Sequence, residues 1–251
     1  MQKNILLAGV GGQGILSQAF VMCNAALEEG LNFKQAEVHG MAQRGGAVQS
    51  NLRISSEPIM SDLIPRGTCD ILLSVEPLEA LRYLDYLGKD GTIITSTKPF
   101  VNIPNYPEVE TIWAEFEKVP HVIPVNAEIL AKEAGSPLSA NMVMLGAAAP
   151  FLGLKIETLE NWVRNLWSAK GDKVAEVNAR AFHAGREMAE FLTEVKGHGV
   201  GLKGIHFLAD NLNSETKKSR SASEWADLLR SKPEAEWIEA VQVVTGAGNP
   251  T

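Results

Sequence analysis

The chain contains 251 residues, of which 45% are hydrophobic and 21% charged, and its formal net charge is −7. This length and balance predict a packed fold with one large domain, or one domain with an appendage, and argue against wholesale disorder. The negative charge disfavours general binding to nucleic acid, although a local basic patch could still bind a phosphate.

The cysteine count restricts the chemistry further. Cys23 and Cys69 are the two cysteines, and no close spacing relates them. They cannot form a disulfide framework, a structural zinc site or an iron–sulfur cluster by themselves, and they indicate a reducing, cytoplasmic setting. Residues 1–14 show no cleavable signal pattern, and no apolar run approaches the ~20 residues of a membrane span. We therefore predict no metal on this chain and no membrane contact.

The first elements follow a strand–turn–helix–strand order. Residues 4–9 (NILLAG) are apolar and end in glycine, which predicts a buried strand. Residues 13–30 place apolar side chains, including Leu27, on one helical face and end in Gly30. With a second strand predicted at 32–38, the chain opens as a βαβ unit does.

The next elements continue the alternation of strands and helices. Residues 46–55 alternate apolar and polar side chains, as half-exposed strands do, and Pro77 favours the first turn of a helix. The pattern is helical from about residue 139. We predict an α/β fold class, a Rossmann-like and mostly parallel sheet covered by helices, with a C-terminal helical extension. Further strands are predicted at 70–75, 91–96 and 121–125.

A change of composition after Lys196 divides the chain into a main domain, 1–196, and a second segment, 197–251. Residues 197–221 are glycine-rich and then polar, which predicts a linker or extended arm. Ser221 and Glu224 fit a capping box at the start of a helix. Two apolar stripes follow, made of Trp225, Leu228 and Leu229 and then of Trp237, Val241 and Val244. These stripes predict packing on this domain or on a partner.

The first candidate site is a glycine loop. Gly9, Gly11 and Gly14 have G-x-G-x-x-G spacing between a predicted strand and a predicted helix, which is the context of a phosphate-binding turn. Glu37 lies 23 residues after Gly14 and is the candidate acid for binding the ribose of NAD. The alternative is that Glu37 is an ordinary carboxylate at the end of a strand.

The second candidate site is the stretch EVHGMAQRGGAVQSNLRI, residues 37–54. His39, Gln43 and Arg44 lie among glycines, so backbone N–H groups could surround the Arg44 guanidinium, whose fork suits a phosphate or carboxylate. The alternative is a glycine-rich loop with a solvated arginine.

Other reactive side chains give weaker patterns. Cys23 lies on an apolar helix face and is expected in the core. Trp162 and Trp167 are expected in the core or at an interface rather than stacked on a ligand. The sequence shows no histidine ligand spacing, catalytic triad or paired carboxylates.

Four motifs in this order resemble the gamma domain of 2-oxoacid:ferredoxin oxidoreductases, and within that family the beta subunits of indolepyruvate:ferredoxin oxidoreductases. They are GVGGQGILSQA, HGMAQRGGAVQSNLRI, SANMVMLGA and VNARAFHAG. The resemblance covers about residues 1–195, and the HGMAQRGG block is its most specific part. The tail after residue 196 does not match the short subunit that the family leads us to expect.

The resemblance implies oxidative decarboxylation of a 2-oxoacid, here an aryl pyruvate, with transfer of the acyl group to coenzyme A. It implies that thiamine diphosphate and iron–sulfur clusters lie on a large partner subunit, from which electrons pass to ferredoxin or another acceptor. This chain is expected to cover the active site and to help bind coenzyme A. The candidate residues are Gly11, Gly12, Gln13, Gly14, Gln43, Arg44, Gly45 and Asn141.

Two other interpretations stay open from the residues alone. A free-standing NAD-dependent dehydrogenase would use the glycine loop and Glu37, but the sequence shows no machinery for hydride transfer. A nucleotide-sensing module would use the loop for binding and the C-terminal helices for docking to other proteins.

Overall fold

The computed structural model describes residues 1–39, 45–101 and 103–245. Within these ranges, six strands form one sheet in the order β2-β3-β1-β4-β5-β6. The strands are β1 (Gln2–Val10), β2 (Asn32–His39), β3 (Ala47–Ser55), β4 (Cys69–Ser74), β5 (Leu87–Ser96) and β6 (Val122–Val125). The helices of the described residues are α1 (Ile15–Glu28), α2 (Pro77–Leu81), α3 (Val109–Phe116), α4 (Ala127–Ala134), α5 (Ala140–Leu152), α6 (Ile156–Ser168), α7 (Asp172–Gly197), α8 (Leu202–Asn211), α9 (Ala222–Ser231) and α10 (Trp237–Thr245).

The sheet is mixed, with a parallel part that positions the candidate site. Strands β1, β4, β5 and β6 are parallel neighbours, whereas β3 pairs antiparallel with both β1 and β2. The predicted fold class, a mostly parallel sheet covered by helices with a helical C-terminal region, is confirmed. The opening differs from a simple βαβ unit because β3 lies between β1 and β2.

Two glycines in the left-handed region flank helix α1: Gly14, with φ 78°, directly precedes it, and Gly30, with φ 74°, lies two residues after its last residue. Only glycine adopts such angles without strain, so these residues fix both ends of the helix. The helix buries the face that includes Ala19 and Met22, whereas Leu27, which we predicted on the same face, is 63% exposed. The predicted helix is therefore confirmed, but its buried stripe is shorter than the sequence indicated.

The segment 197–221, which we predicted to be a linker or extended arm, contains helix α8. Ile205, Leu208 and Ala209 of α8 are buried, and the helix packs against β6 and α7. These residues have helical spacing, but the glycines around them led us to predict a linker. Buried residues from both segments belong to one core cluster. The division of the chain at residue 196 into two domains stays a prediction.

The C-terminal helices pack on the rest of this chain. The predicted capping box of Ser221 and Glu224 is confirmed at the start of α9. Trp225 is fully buried and donates from its indole N–H to the Lys217 carbonyl oxygen at 3.0 Å. Leu229 and Val241 are buried in the same cluster, so the two apolar stripes find much of their partner surface within this chain.

Both cysteines lie in the core, as expected for Cys23. Burial raises the pKa of each thiol to about 12, which leaves them protonated and poorly reactive at neutral pH. No helix among the described residues has the length and apolar character needed to cross a bilayer.

Candidate functional site

The structure brings the two glycine stretches together. The Gly11 N–H donates to the Gly46 carbonyl oxygen at 2.8 Å, and the Gly45 N–H donates to the Gly11 carbonyl oxygen at 3.2 Å. These bonds continue the β1–β3 ladder into the loops that follow β1 and precede β3. Gln43 and Arg44 lie outside the described residues. The contact nevertheless ties the glycine loop directly to the end of the HGMAQRGG block.

The glycine loop needs glycine at two positions. Gly12 has φ 102° and Gly14 has φ 78°, both in the left-handed region that side chains avoid. Gln13 closes the turn, because its backbone N–H donates to the Val10 oxygen at 3.0 Å and its side-chain Oε1 accepts from the Val10 N–H at 2.7 Å. The loop is thus a tight turn that leads directly into α1.

The loop leaves donors available to a ligand. Among the described residues, the N–H groups of Gly12, Gly14, Ile15 and Leu16 find no acceptor. Such groups at the start of a helix attract anions, helped by the helix dipole. Gly11 is different, since its N–H is already bonded to the second loop. We therefore distinguish Gly11, which joins the two loops, from Gly12 and Gly14, which can face a ligand.

Asn141 lies against this loop from the start of α5. Its Nδ2 donates to the Gly14 oxygen at 3.4 Å, and its carbonyl oxygen accepts from Gln18 Nε2 at 2.8 Å. A Cβ at position 14 would lie 2.4 Å from Asn141 Nδ2, so the two residues are in tight contact. Asn141 is 6% exposed and orients the loop. A direct contact with a cofactor remains a prediction for this residue.

A cavity of about 430 Å³ opens beside the loop, and we call it the loop cavity. It lies where the four parallel strands end: the loop follows β1, Val75 follows β4, Lys98 follows β5 and Ala127 follows β6. Ligands of open α/β sheets bind outside the carboxyl ends of the strands. The lining residues are Gly12, Gln13, Gly14, Ser17, Val75, Ser96, Lys98, Pro99, Phe100, Ala127, Glu128, Pro137, Leu138, Ala140, Asn141 and Trp167.

Sequence reasoning missed two informative residues of this cavity. Lys98 is the cation among the described lining residues, and its side chain is 40% exposed. Its position two residues after the predicted strand 91–96 was the available signal. Trp167 also lines the cavity, and its buried Nε1 finds no acceptor among the described residues. Trp167 is partly buried and packs against the core cluster, as expected, and its position on the cavity wall is the additional finding.

A buried carboxylate supports the cavity wall. Glu76 is 1% exposed and accepts N–H donors from Glu79 at 2.7 Å and Phe100 at 3.4 Å, as well as the Tyr106 hydroxyl. Burial raises the pKa of Glu76, although these hydrogen bonds oppose the shift. Burial and the Glu76 carboxylate raise the pKa of Tyr106. The contacts hold Phe100, which lines the cavity, in the segment that follows β5.

The geometry argues against the NAD interpretation. Glu37 is exposed on the edge strand β2, and β3 separates that strand from β1. Two strand spacings amount to roughly 10 Å, so Glu37 is displaced from the place beside β1 where a ribose-binding acid lies in a simple βαβ unit.

The described residues also offer no ligand set for a metal. No group of three or more His, Cys, Asp or Glu side chains within them is placed to hold an ion. The two buried cysteines lie on different elements, α1 and β4, and their thiols have raised pKa values. These residues do not fit an iron–sulfur cluster, which requires several thiolates together.

Fold and site together define an α/β domain with a tight glycine turn and a cavity at the carboxyl edge of its parallel strands. Residues 4–188 match the family described as pyruvate ferredoxin/flavodoxin oxidoreductase. The chain belongs to this family and is a gamma-type subunit of a 2-oxoacid:ferredoxin oxidoreductase.

Individual relatives agree with this assignment. The chain is 38% identical over 198 residues to indolepyruvate oxidoreductase subunit IorB of Archaeoglobus fulgidus, covering 75% of this chain and 96% of the relative. It is 30% identical to 2-oxoglutarate synthase subunit KorC of the same organism, covering 78% and 92%.

Solved structures share the fold. The gamma subunit of keto/oxoacid ferredoxin oxidoreductase from Geobacter sulfurreducens has a TM-score of 0.55 and 27% identity, over 75% of this chain and 98% of that one. The 2-oxoglutarate:ferredoxin oxidoreductase of Magnetococcus marinus, solved with 2-oxoglutarate, coenzyme A and succinyl-CoA bound, has a TM-score of 0.60 and 23% identity. The match covers 75% of this chain but 31% of that chain, and it is evidence for the fold alone.

Proposed function

We propose that this chain serves an oxidoreductase acting on indolepyruvate or another aryl pyruvate, and that its loop cavity binds part of coenzyme A. One observation carries the proposal: unbonded N–H groups of Gly12 and Gly14 and the Lys98 ammonium belong to one cavity beside the start of α1. Coenzyme A presents a diphosphate, and backbone donors with a cation are the groups that bind one. The names of the IorB relatives support the choice of aryl pyruvate.

The proposed division of labour leaves the bond-breaking chemistry to a partner. Thiamine diphosphate and iron–sulfur clusters on a large subunit would decarboxylate the 2-oxoacid and pass its electrons to ferredoxin or another acceptor. The residues of this chain would bind and orient the thiol carrier that receives the acyl group. Gly12, Gly14 and Lys98 would contact phosphate oxygens, whereas Asn141 and Gln13 would keep the turn in shape.

The Arg44 guanidinium is the candidate second cation of this site, on the sequence evidence of its glycine-rich block. Replacing Arg44 by Ala in the assembled enzyme should raise the KM for coenzyme A about tenfold, since a charge-assisted bond is worth roughly 1.5–3 kcal/mol. The matched control is Arg66→Ala, because Arg66 is 73% exposed and precedes β4, at the opposite edge of the sheet from the cavity.

Kinetics with varied coenzyme A, at fixed 2-oxoacid and acceptor, measure the effect. An unchanged KM and turnover in R44A, with R66A also unchanged, would contradict the assignment of Arg44. Nicotinamide-dependent turnover by the purified chain alone would contradict the subunit role itself. Purification with a large, brown, iron-bearing partner is the expected result.

A further inference from the structure

Asp210 of α8 joins the ends of two strands beside the loop cavity. Its Oδ1 accepts from the Thr97 hydroxyl at 2.5 Å and from Asn126 Nδ2 at 2.8 Å. Its Oδ2 accepts from Lys98 Nζ at 3.2 Å. Thr97 and Lys98 follow β5, and Asn126 follows β6 and caps α4. One carboxylate therefore satisfies three donors at the carboxyl edge of the sheet.

This carboxylate comes from the C-terminal segment and lies beyond the family match, which ends at residue 188. The IorB relative of Archaeoglobus fulgidus is matched over 96% of its length by 75% of this chain. Helix α8 is nevertheless firmly attached, since Ile205 and Leu208 are buried and the helix packs against β6 and α7. The segment after residue 196 thus reaches the wall of the candidate site.

His206 is a second basic side chain near Asp210, and its protonation state decides which cation pairs with this carboxylate. His206, one turn earlier on α8, has its Nε2 3.6 Å from Asp210 Oδ2 and its ring stacked on Trp113 at a centroid distance of 3.7 Å. Burial lowers the pKa of His206, although Asp210 opposes the shift, so the imidazole is neutral near pH 7. A neutral imidazole leaves Lys98 as the cation that pairs with Asp210.

A lysine that is already held in place loses less conformational entropy on binding an anion than a free lysine does. Ordering a long lysine side chain costs conformational entropy, and a salt bridge made on folding removes that cost from the binding step. The Asp210 side chain is 25% exposed, so solvent screens the pair only in part. Asp210 does not line the cavity, whereas Lys98 does.

We propose that Asp210 is a positioning residue: the C-terminal segment uses it to hold the Lys98 ammonium on the wall of the loop cavity, ready for a phosphate group of the ligand. The ligand part of this inference rests on the proposed binding of coenzyme A. The placement of Lys98 by Asp210 does not, so the two parts can be tested separately.

A double-mutant cycle in the assembled enzyme tests the inference. Asp210→Asn retains Oδ1 for Thr97 and Asn126 but removes the charge that faces Lys98. We expect D210N to raise the KM for coenzyme A about fivefold with kcat nearly unchanged, Lys98→Met to raise it at least as much, and the double variant to match K98M. Lys98→Arg should retain most of the affinity, because it keeps the cation.

The matched control is Asp227→Asn, which removes a carboxylate of the same segment that pairs with the exposed Arg230. It should leave the KM unchanged. If D210N raises the KM equally in the K98M background, Asp210 acts only through the strand ends and the positioning role is overturned. The same conclusion follows if D210N has no effect while K98M does.

A readout without coenzyme A separates the two parts. The NMR signal of the Lys98 side-chain ammonium in the full-length chain should shift in D210N and stay in place in D227N. An unshifted signal overturns the placement, whatever the kinetics show. A shifted signal combined with a normal KM in K98M overturns the role toward coenzyme A and, with it, the ligand part of the inference.

Discussion

Gly12 and Gly14 impose different demands on the same turn. Both have positive φ, so an alanine at either position is strained by about 1–2 kcal/mol. A Cβ at position 12 meets no atom within 4 Å, whereas one at position 14 lies 2.4 Å from Asn141 Nδ2. Gly14 therefore serves both the backbone angle and the close contact with α5.

Comparing Gly14→Ala with Gly12→Ala separates these two requirements. G12A should lower the free energy of unfolding by about 1–2 kcal/mol through backbone strain alone. G14A should lose at least about 1 kcal/mol more, because Asn141 must also move. Urea denaturation of both variants measures the difference. Equal losses would mean that Asn141 moves at no cost and that its contact does not hold the loop.

The residues of the site differ in how readable they were from the sequence. The glycine loop was predicted because its residue types, spacing and flanking elements are local, and a left-handed turn requires glycine. Lys98 and Asp210 were not predicted, since 112 positions separate them and neither belongs to a motif. Their pairing depends on where α8 packs, which no local pattern specifies.

Helices α5 and α7 cross at two glycines, Gly146 and Gly185, where the two backbones lie close together. A Cβ at Gly146 would lie 1.9 Å from the Phe182 carbonyl oxygen, and one at Gly185 would lie 1.9 Å from that of Val143. Each glycine therefore meets the backbone of the other helix. No side-chain rearrangement can make room there, so the helices themselves would have to separate.

Gly146→Ala should therefore lower the free energy of unfolding by about 3 kcal/mol or more, at the upper end of overpacking effects. The control is Gly197→Ala at the end of α7, where a Cβ meets nothing within 4 Å. G197A should be neutral or stabilised by up to about 1 kcal/mol, because alanine favours helix. Denaturant midpoints test both. A loss below about 1 kcal/mol in G146A would show that the crossing can widen freely.

At the level of elements, the sequence predicted the type of most strands and helices but not their neighbours. The alternation in residues 46–55 correctly predicted a strand, yet its insertion between β1 and β2 is decided by pairing between distant residues. Helix α8 was missed for a local reason, since Gly201 and Gly204 made its sequence resemble a linker. Its buried residues Ile205 and Leu208 show that tertiary packing overrides the low helix propensity of glycine.

At the scale of the whole molecule, the C-terminal helices behave as part of the core rather than as an attached arm. Trp225 of α9 is fully buried, and α9 packs on α7 of the main domain. Lys217, whose side chain is buried, forms an ion pair with the half-exposed Glu187 of α7 at 3.2 Å. We infer that unfolding of α9 and of the sheet is coupled, because cores shared in this way lose their packing together.

Ser221→Ala tests this coupling over the whole chain. The Ser221 hydroxyl accepts from the Glu224 N–H at 3.3 Å, and the Glu224 carboxylate accepts from the Ser221 N–H at 2.8 Å, so the substitution removes half of the capping box. Its loss should cost about 1 kcal/mol. If the chain unfolds as one cooperative unit, that cost must lower the denaturant midpoint of the whole chain. Amide hydrogens in β1 and β4, far along the chain from α9, should then also exchange faster. Ser231→Ala at the other, exposed end of the same helix should change stability by less than about 0.5 kcal/mol.

If S221A speeds exchange in α9 but leaves β1 and β4 unaffected, the segment after residue 196 unfolds independently. The division predicted from composition would then describe two folding units. The ion pair between Asp210 and Lys98 would break whenever residues 197–251 unfolded.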